Sequence, residues 1–329
     1  MFKAIIIGCG KIAGYFDSDL DSSVSSHARA YDNVPNIDVV AFIDTDLDKA
    51  QKLAKIYNCD SYGNDYISFI NKHRPDVVSV CTPDNTHFEI INRMLINKVT
   101  PSVIFVEKPI CSNSNEFNKI KLLSKRKNVA ILINHSRRFN PKYINLKKMI
   151  QRNVFGKLIR ADVFYYGGWK HNGVHVIDTL LFLFNENLFI RKIYGYMTTQ
   201  YQNDLTLDVE LLFDKNKAKI YLHAFDEKYY QLFDFDFKFE KARLKIENFE
   251  NRYIFDEKFT NSKMESELIP RRLNLGKKNS SCIQNAINVI SRYLKLKKAN
   301  LIKDYSIDEA KTVMNIIWKG EKYASRFKK

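Results

Sequence analysis

The stretch Val103-Ile104-Phe105-Val106-Glu107-Lys108-Pro109 decides the fold. Its four apolar residues, mostly β-branched, suit a strand covered on both faces, as in a parallel sheet. The run stops on a glutamate and a lysine, at the strand end where open α/β sheets bind their ligands. Pro109 fixes its own φ and restricts the backbone of Lys108, so this lysine is a placed one. A solvated strand end is the competing reading of the same two charges. The flanking chain has to decide between them.

Upstream, residues 4–7 form a short apolar strand that runs into Gly8-Cys9-Gly10-Lys11-Ile12-Ala13. This is G-x-G-x-x-G/A directly after a strand, the context a dinucleotide-binding turn requires. Gly8 serves the tight turn, Gly10 the close approach of a pyrophosphate, and Ala13 the packing of helix on strand. Lys11 and Ile12 lie within the same turn. A polar, acidic stretch at 17–26 interrupts the first helix and reads as a surface loop or a cap over the site. The helical pattern resumes at 27–31. A second strand at 37–43 ends in Asp44, the position that binds adenosine ribose hydroxyls and repels a 2′-phosphate. NAD is therefore expected over NADP. Helices are expected at 48–57 and 65–71, then a strand at 76–80. That strand is closed by Cys81-Thr82-Pro83-Asp84-Asn85-Thr86-His87, a polar turn that faces the same crevice. An amphipathic helix at 88–96 leads to the quoted strand.

Downstream come a helix at 116–124 and a strand at 129–133. Strand and helix alternate throughout, which predicts an α/β, doubly wound parallel sheet for residues 1–133. After Asn134-His135-Ser136-Arg137-Arg138-Phe139-Asn140-Pro141 the character changes, so a second domain is expected at 134–329. It opens with a helix at 143–151. Strand-like segments follow at 159–166, 190–199, 206–213, 218–223, 229–239 and 242–248. Several alternate apolar and polar residues, as in an antiparallel sheet with one wet face. One helix at 173–184 lies among them, and helices at 282–294 and 307–323 close the chain. Residues 270–281 read as a basic, polar loop.

Length and composition set outer limits. The chain has 329 residues and 45% hydrophobic content, enough for two domains with a substantial core. No apolar run approaches the ~20 residues of a membrane span, and the N-terminus is too short and strand-like for a signal peptide. The 5 cysteines are scattered, with no pair at metal-ligand spacing, which favours a reducing cytoplasm over a disulfide framework or a zinc site. The formal charge of +16 comes without a nucleic-acid-binding motif. It reads as a compositional bias spread over solvated faces, with weak steering of an anionic substrate as the functional alternative.

A second charged cluster, Gly167-Gly168-Trp169-Lys170-His171-Asn172-Gly173-Val174-His175-Val176-Ile177-Asp178, enters the helix expected at 173–184. Val174, Ile177, Leu181 and Phe184 make its core stripe. His175 and Asp178, at i and i+3, share another face. The carboxylate favours a protonated imidazole and the helix N-terminus opposes it. His171 and His175 would suit a metal only within one helix, and Asn172-Gly173 reads as a helix start, so no metal is expected.

Taken in order, these motifs resemble the Gfo/Idh/MocA oxidoreductases, the family of glucose–fructose oxidoreductase and inositol dehydrogenase. The resemblance rests on the glycine turn, Asp44, Cys81-Thr82-Pro83 with His87, Glu107-Lys108-Pro109, Arg137-Arg138-Phe139 with Pro141, and the entry to His175 and Asp178. It implies a Rossmann domain followed by an α/β domain with a large, mostly antiparallel sheet, whose open face joins copies into a homodimer or homotetramer. It implies NAD(P) chemistry on sugars, polyols or nucleotide sugars, with Lys108 as active-site lysine and His175 as the proton-transferring residue. Thr82, Pro83, His87 and Glu107 would then line the cofactor, and Glu107 would orient Lys108 or the nicotinamide side. Trp169, His171 and Asp178 would face the substrate. Arg137 and Arg138 would either hold substrate or tie the domains together. One position departs from the pattern: His171 stands where family members commonly carry an aspartate. An NAD-dependent glycosidase without net redox, or a non-catalytic NAD-binding regulator, are the alternatives this leaves.

Overall fold

The computed structural model describes residues 1–17, 24–201, 203–276 and 281–328. Parts of the stretches expected as loops at 17–26 and 270–281 therefore lie outside the described residues. The chain divides into two compact units, Met1–Asn140 with Lys278–Lys311, and Pro141–Lys277 with Thr312–Lys329.

In the first unit, β1 (Phe2–Ile7), β2 (Ile37–Ile43), β3 (Tyr62–Gly63), β4 (Val77–Val80), β5 (Val103–Val106) and β6 (Ala130–Ile133) form one sheet in the order β3-β2-β1-β4-β5-β6. Every pairing is parallel. All residues of β4 and β5 are buried, which is why those strands are apolar on both faces instead of alternating, with Ser79 of β4 as their one polar residue. Connecting helices are α1 (His27–Asp32), α2 (Leu47–Ile56), α3 (Tyr66–His73), α4 (His87–Ile96) and α5 (Ser114–Lys127). The strand order reverses between β1 and β4, and a crevice opens there at the carboxyl ends.

The interrupted first helix has a physical explanation. Helix α1 docks directly on the glycine turn, where the His27 and Ala28 N–H groups donate to the Ile12 and Ala13 carbonyls at 3.0 and 2.8 Å. Its start is held by the buried Asp17 carboxylate, which accepts from Ser25 N at 2.9 Å and Ser26 N at 2.8 Å.

The single boundary expected between 133 and 134 differs from the observed division, because the segment after β6 and a C-terminal segment both pack in the first unit. The Arg138 guanidinium donates to the Asp304 carbonyl at 2.5 Å. Phe139 stacks on Tyr305 with ring centroids 4.3 Å apart. Asn285, on α8 (Cys282–Leu296), donates to the Phe139 carbonyl at 2.9 Å. Arg138 is thus a buried anchor within this unit.

In the second unit, α6 (Pro141–Gln151) and α7 (Val174–Phe184) accompany a sheet of β7 (Leu158–Tyr165), β8 (Leu188–Met197), β9 (Thr206–Phe213), β10 (Lys219–Ala224), β11 (Asp234–Phe239), β12 (Ala242–Glu247), β13 (Arg252–Thr260) and β14 (Ser266–Arg271). Their order is β14-β13-β12-β11-β7-β10-β9-β8. Only β7 with β10 is parallel; the other pairings are antiparallel. The expected alternation is clearest in β11, where Phe235, Phe237 and Phe239 are buried between partly exposed Asp234, Asp236 and Lys238. Phe184 of α7 packs on that row, 5.7 Å from Phe237 and 6.3 Å from Phe239. Strands β13 and β14 escape the sequence reading, and β11 is shorter than the segment expected at 229–239. Pro270 lies in β14, an edge strand, where a missing N–H is tolerated. The last helix is α9 (Ile307–Ala324). Among the described residues no helix is long and apolar enough to cross a membrane.

Candidate active site

The glycine turn lines a cleft of about 930 Å³ at the carboxyl ends of β1, β2 and β4. Gly8 has φ +88, and a Cβ there would lie 2.7 Å from the backbone of Cys81 and Thr82. A Cβ on Gly10 would meet nothing within 4 Å. The first glycine is therefore required by the fold, and the second leaves the cleft floor open for a ligand. Asp44 is fixed at the end of β2: its Oδ2 accepts from Cys9 N at 2.6 Å and its Oδ1 from Asp46 N at 2.9 Å. Lys11, Ile12, Thr82 and Pro83 also line the cleft, as do Lys49, Tyr66 and Arg93. Burial, and then the Asp44 carboxylate, push the Cys9 thiol up; burial and Glu107 do the same to Cys81. Both thiols stay neutral at the floor, so neither adds negative charge against a bound phosphate.

This arrangement yields a paired prediction. Gly8→Ala is expected to lower stability by about 1–3 kcal/mol or more through strain and collision, read as a fall in Tm. Gly10→Val should fold with a near-normal Tm yet lose NAD binding in calorimetry, because its side chain fills the cleft. Normal NAD affinity in a folded Gly10→Val protein would remove the glycine turn from cofactor binding.

His87 was expected along the cofactor. It is instead 1% exposed, with Nδ1 2.7 Å from the Pro109 carbonyl and Nε2 2.8 Å from the Thr82 carbonyl. Both ring nitrogens are used, so His87 ties the turn after β4 to the turn after β5 and supports the site from below. Glu107 and Lys108 sit half-buried at the end of β5, next to β4 in the sheet. Burial pushes the Glu107 carboxyl up, but the hydrogen bond and charge of His27, the hydrogen bond from Asn134 and the charge of Lys108 outweigh it, leaving the group below the usual carboxylate range. Arg137 belongs to a short 3-10 turn, Ser136–Phe139, directly after β6.

In the second unit, residues Trp169–Gly173 form a π-helical turn that continues into α7, so His171 is helical and does not precede the helix. The turn hangs on Asp204, whose carboxylate accepts from the backbone N–H groups of Lys170 and His171, each at 3.0 Å. Burial pushes the Asp204 carboxyl up, while these N–H groups partly hold it down. The His171 ring is exposed and stacks on Tyr201 at 4.0 Å. His175 is half-buried in the first turn of α7. Two residues expected beside the substrate are core instead. Trp169 is 1% exposed, and its Nε1 donates to the Ile317 carbonyl at 2.9 Å. Asp178 is 2% exposed, because α7 is apolar nearly all round and buried accordingly.

Residues 2–135 match a family model described as an oxidoreductase family with an NAD-binding Rossmann fold, Gfo/Idh/MocA. This stretch is a Gfo/Idh/MocA domain. The inositol 2-dehydrogenase/D-chiro-inositol 3-dehydrogenase of Lactiplantibacillus plantarum is 27% identical over 212 residues, 58% of this chain and 58% of that protein. The chain spans about half the length of the curated relatives it matches. A solved structure from Desulfitobacterium hafniense superposes with TM-score 0.77 at 16% identity, covering 96% of this chain and 93% of that one. A 3-ketoreductase from Actinomadura kijaniata, solved with TDP-benzene and NADP, gives TM-score 0.71 at 13% identity and covers 96% of each chain. At these identities the structural matches show the fold. It is the fold the sequence predicts, a Gfo/Idh/MocA Rossmann domain and a large, mostly antiparallel sheet.

The sequence reading missed His27, Ser79, Asn134 and Asp204. His27 reads as the resumption of a helix, and its partner Glu107 lies 80 residues away. Within the Gfo/Idh/MocA domain only the fold brings the two together.

Proposed function

We propose that this protein is an NAD-dependent dehydrogenase or ketoreductase acting on a carbinol or ketone carbon of a sugar, polyol or nucleotide sugar. The observation that carries this reading is the cleft of Gly8, Gly10 and Asp44, followed in the sheet by a strand ending in Glu107-Lys108. The inositol dehydrogenase and the TDP-bound ketoreductase among the relatives support the substrate class. Bound nicotinamide supplies the hydride acceptor or donor. The chain supplies the rest. The Lys108 ammonium stabilises negative charge on the reacting oxygen. His175 takes the hydroxyl proton during oxidation and returns it during reduction. Arg137 and His171 contact the substrate.

Asp44 sets the cofactor. Its carboxylate meets ribose hydroxyls and repels a 2′-phosphate, so NAD should bind about tenfold or more tightly than NADP in calorimetry, with the gap closing in Asp44→Ser. Tighter NADP binding by the wild type, supported by Lys49 or Arg93, would remove Asp44 from this role. We place the protein in the cytoplasm, consistent with five free cysteines. We also place a second copy on the wide sheet, whose strands expose Phe164, Tyr194 and Tyr196.

A further inference from the structure

A buried polar chain runs beneath the end of β5. The Tyr31 hydroxyl lies 2.9 Å from Ser79 Oγ, which lies 3.0 Å from His27 Nδ1. His27 Nε2 lies 3.0 Å from Glu107 Oε1, and Asn134 Nδ2 donates to the same oxygen at 2.6 Å. Tyr31, Ser79 and His27 are each 0% exposed. An ionised carboxylate only accepts, so His27 Nε2 carries a proton and donates. Nδ1 accepts from the Ser79 hydroxyl in the neutral ring and donates to Ser79 Oγ in the imidazolium, and the Ser79–Tyr31 link is satisfied in both states. In both states His27 Nε2 and Asn134 Nδ2 donate to Glu107, and no step assigned above uses this chain.

We propose that His27 is a positioning residue that holds the Glu107 carboxylate ionised and in one orientation, giving the candidate active site a fixed negative charge next to Lys108. The inference deepens the dehydrogenase reading and rests on it for its catalytic meaning. Facing Glu107 are His27 from α1, Asn134 after β6, the neutral thiol of Cys81 after β4, and Lys108 beside it. A half-buried carboxyl becomes easier to protonate when its donors are removed, because desolvation penalises the charged form. With His27 present the group lies below the usual range. Its ionisation then adds stability above the ordinary carboxylate range, and this is lost as pH falls through the folded value. Without His27 the sign reverses. A raised folded value costs stability as pH rises through it.

The test needs neither cofactor nor substrate at first. Carbon-13 NMR of glutamate-labelled protein follows the Glu107 carboxyl, with its resonance identified by its loss in Glu107→Gln. His27→Leu should raise the Glu107 midpoint by about 1–3 units and make the protein less stable at pH 8 than at pH 5. His27→Gln, which keeps one donor and one acceptor, should restore most of the wild-type behaviour. An unmoved midpoint in His27→Leu, or an equal rise in His27→Gln, would overturn the proposal. With NAD and the sugar or polyol that the wild type oxidises, kcat of His27→Leu should follow the new midpoint while the KM for NAD stays unchanged. A moved midpoint with an unchanged kcat profile would reduce His27 to a structural residue and overturn its positioning role. A wild type that oxidises nothing would remove the dehydrogenase reading, and the titration would still decide whether His27 governs Glu107.

Discussion

Lys108→Met is expected to cut kcat about 10²–10⁴-fold while NAD affinity stays near the wild-type value. Methionine keeps most of the volume of the side chain and deletes the ammonium, with its charge and its N–H donors. The lysine stands half-buried at the end of a strand buried along its whole length, so the backbone that carries it has little freedom to relax. A charge in such surroundings acts more strongly than in water. The contacts proposed for adenosine and pyrophosphate lie along β1 and β2, away from position 108, which is why binding should persist. Steady-state kinetics with calorimetry separates the two. A loss of NAD binding equal to the loss of kcat would make Lys108 a cofactor ligand instead.

His175→Gln should produce a loss on the same scale, about 10²–10⁴-fold in kcat, with one limb of the pH profile removed. Glutamine retains some hydrogen bonding and cannot carry the proton. His171→Gln is the comparison that decides the assignment. His171 lies on the exposed surface against Tyr201, so its substitution should change KM for the substrate more than kcat. Near-wild-type kcat in His175→Gln, together with loss of activity in His171→Gln, would show that the proton belongs to His171.

The first unit was legible because its signals are local. An apolar run that stops on charge marks a strand in a parallel sheet, and a glycine pair after a strand marks a dinucleotide turn. Strand β13, Arg-Tyr-Ile-Phe-Asp-Glu-Lys-Phe-Thr, gives no such signal. It is largely exposed beside the edge strand β14, and backbone pairing holds it without apolar alternation. The candidate site divided in the same way. Gly8, Gly10, Asp44, Thr82 and Pro83 line one cleft, as their spacing suggests. The resemblance to the family places Trp169 beside the substrate. Gly320 explains why it is not: a Cβ there would come within 2.3 Å of the indole nitrogen, so the glycine makes room for the ring inside the core. The His27–Glu107 pair depends on a chain separation that no local pattern reports.

The central claim is hydride transfer between NAD and a CH–OH carbon. Its most direct test incubates the protein with NAD and a panel of inositols, hexoses and nucleotide sugars, following NADH absorbance and the mass of each carbohydrate together. One NADH should form for each carbohydrate that loses two hydrogen atoms, at a rate cut about 10²–10⁴-fold in Lys108→Met. Free sugar released with no net NADH, or tight NAD binding with no change in any carbohydrate, would contradict the central claim.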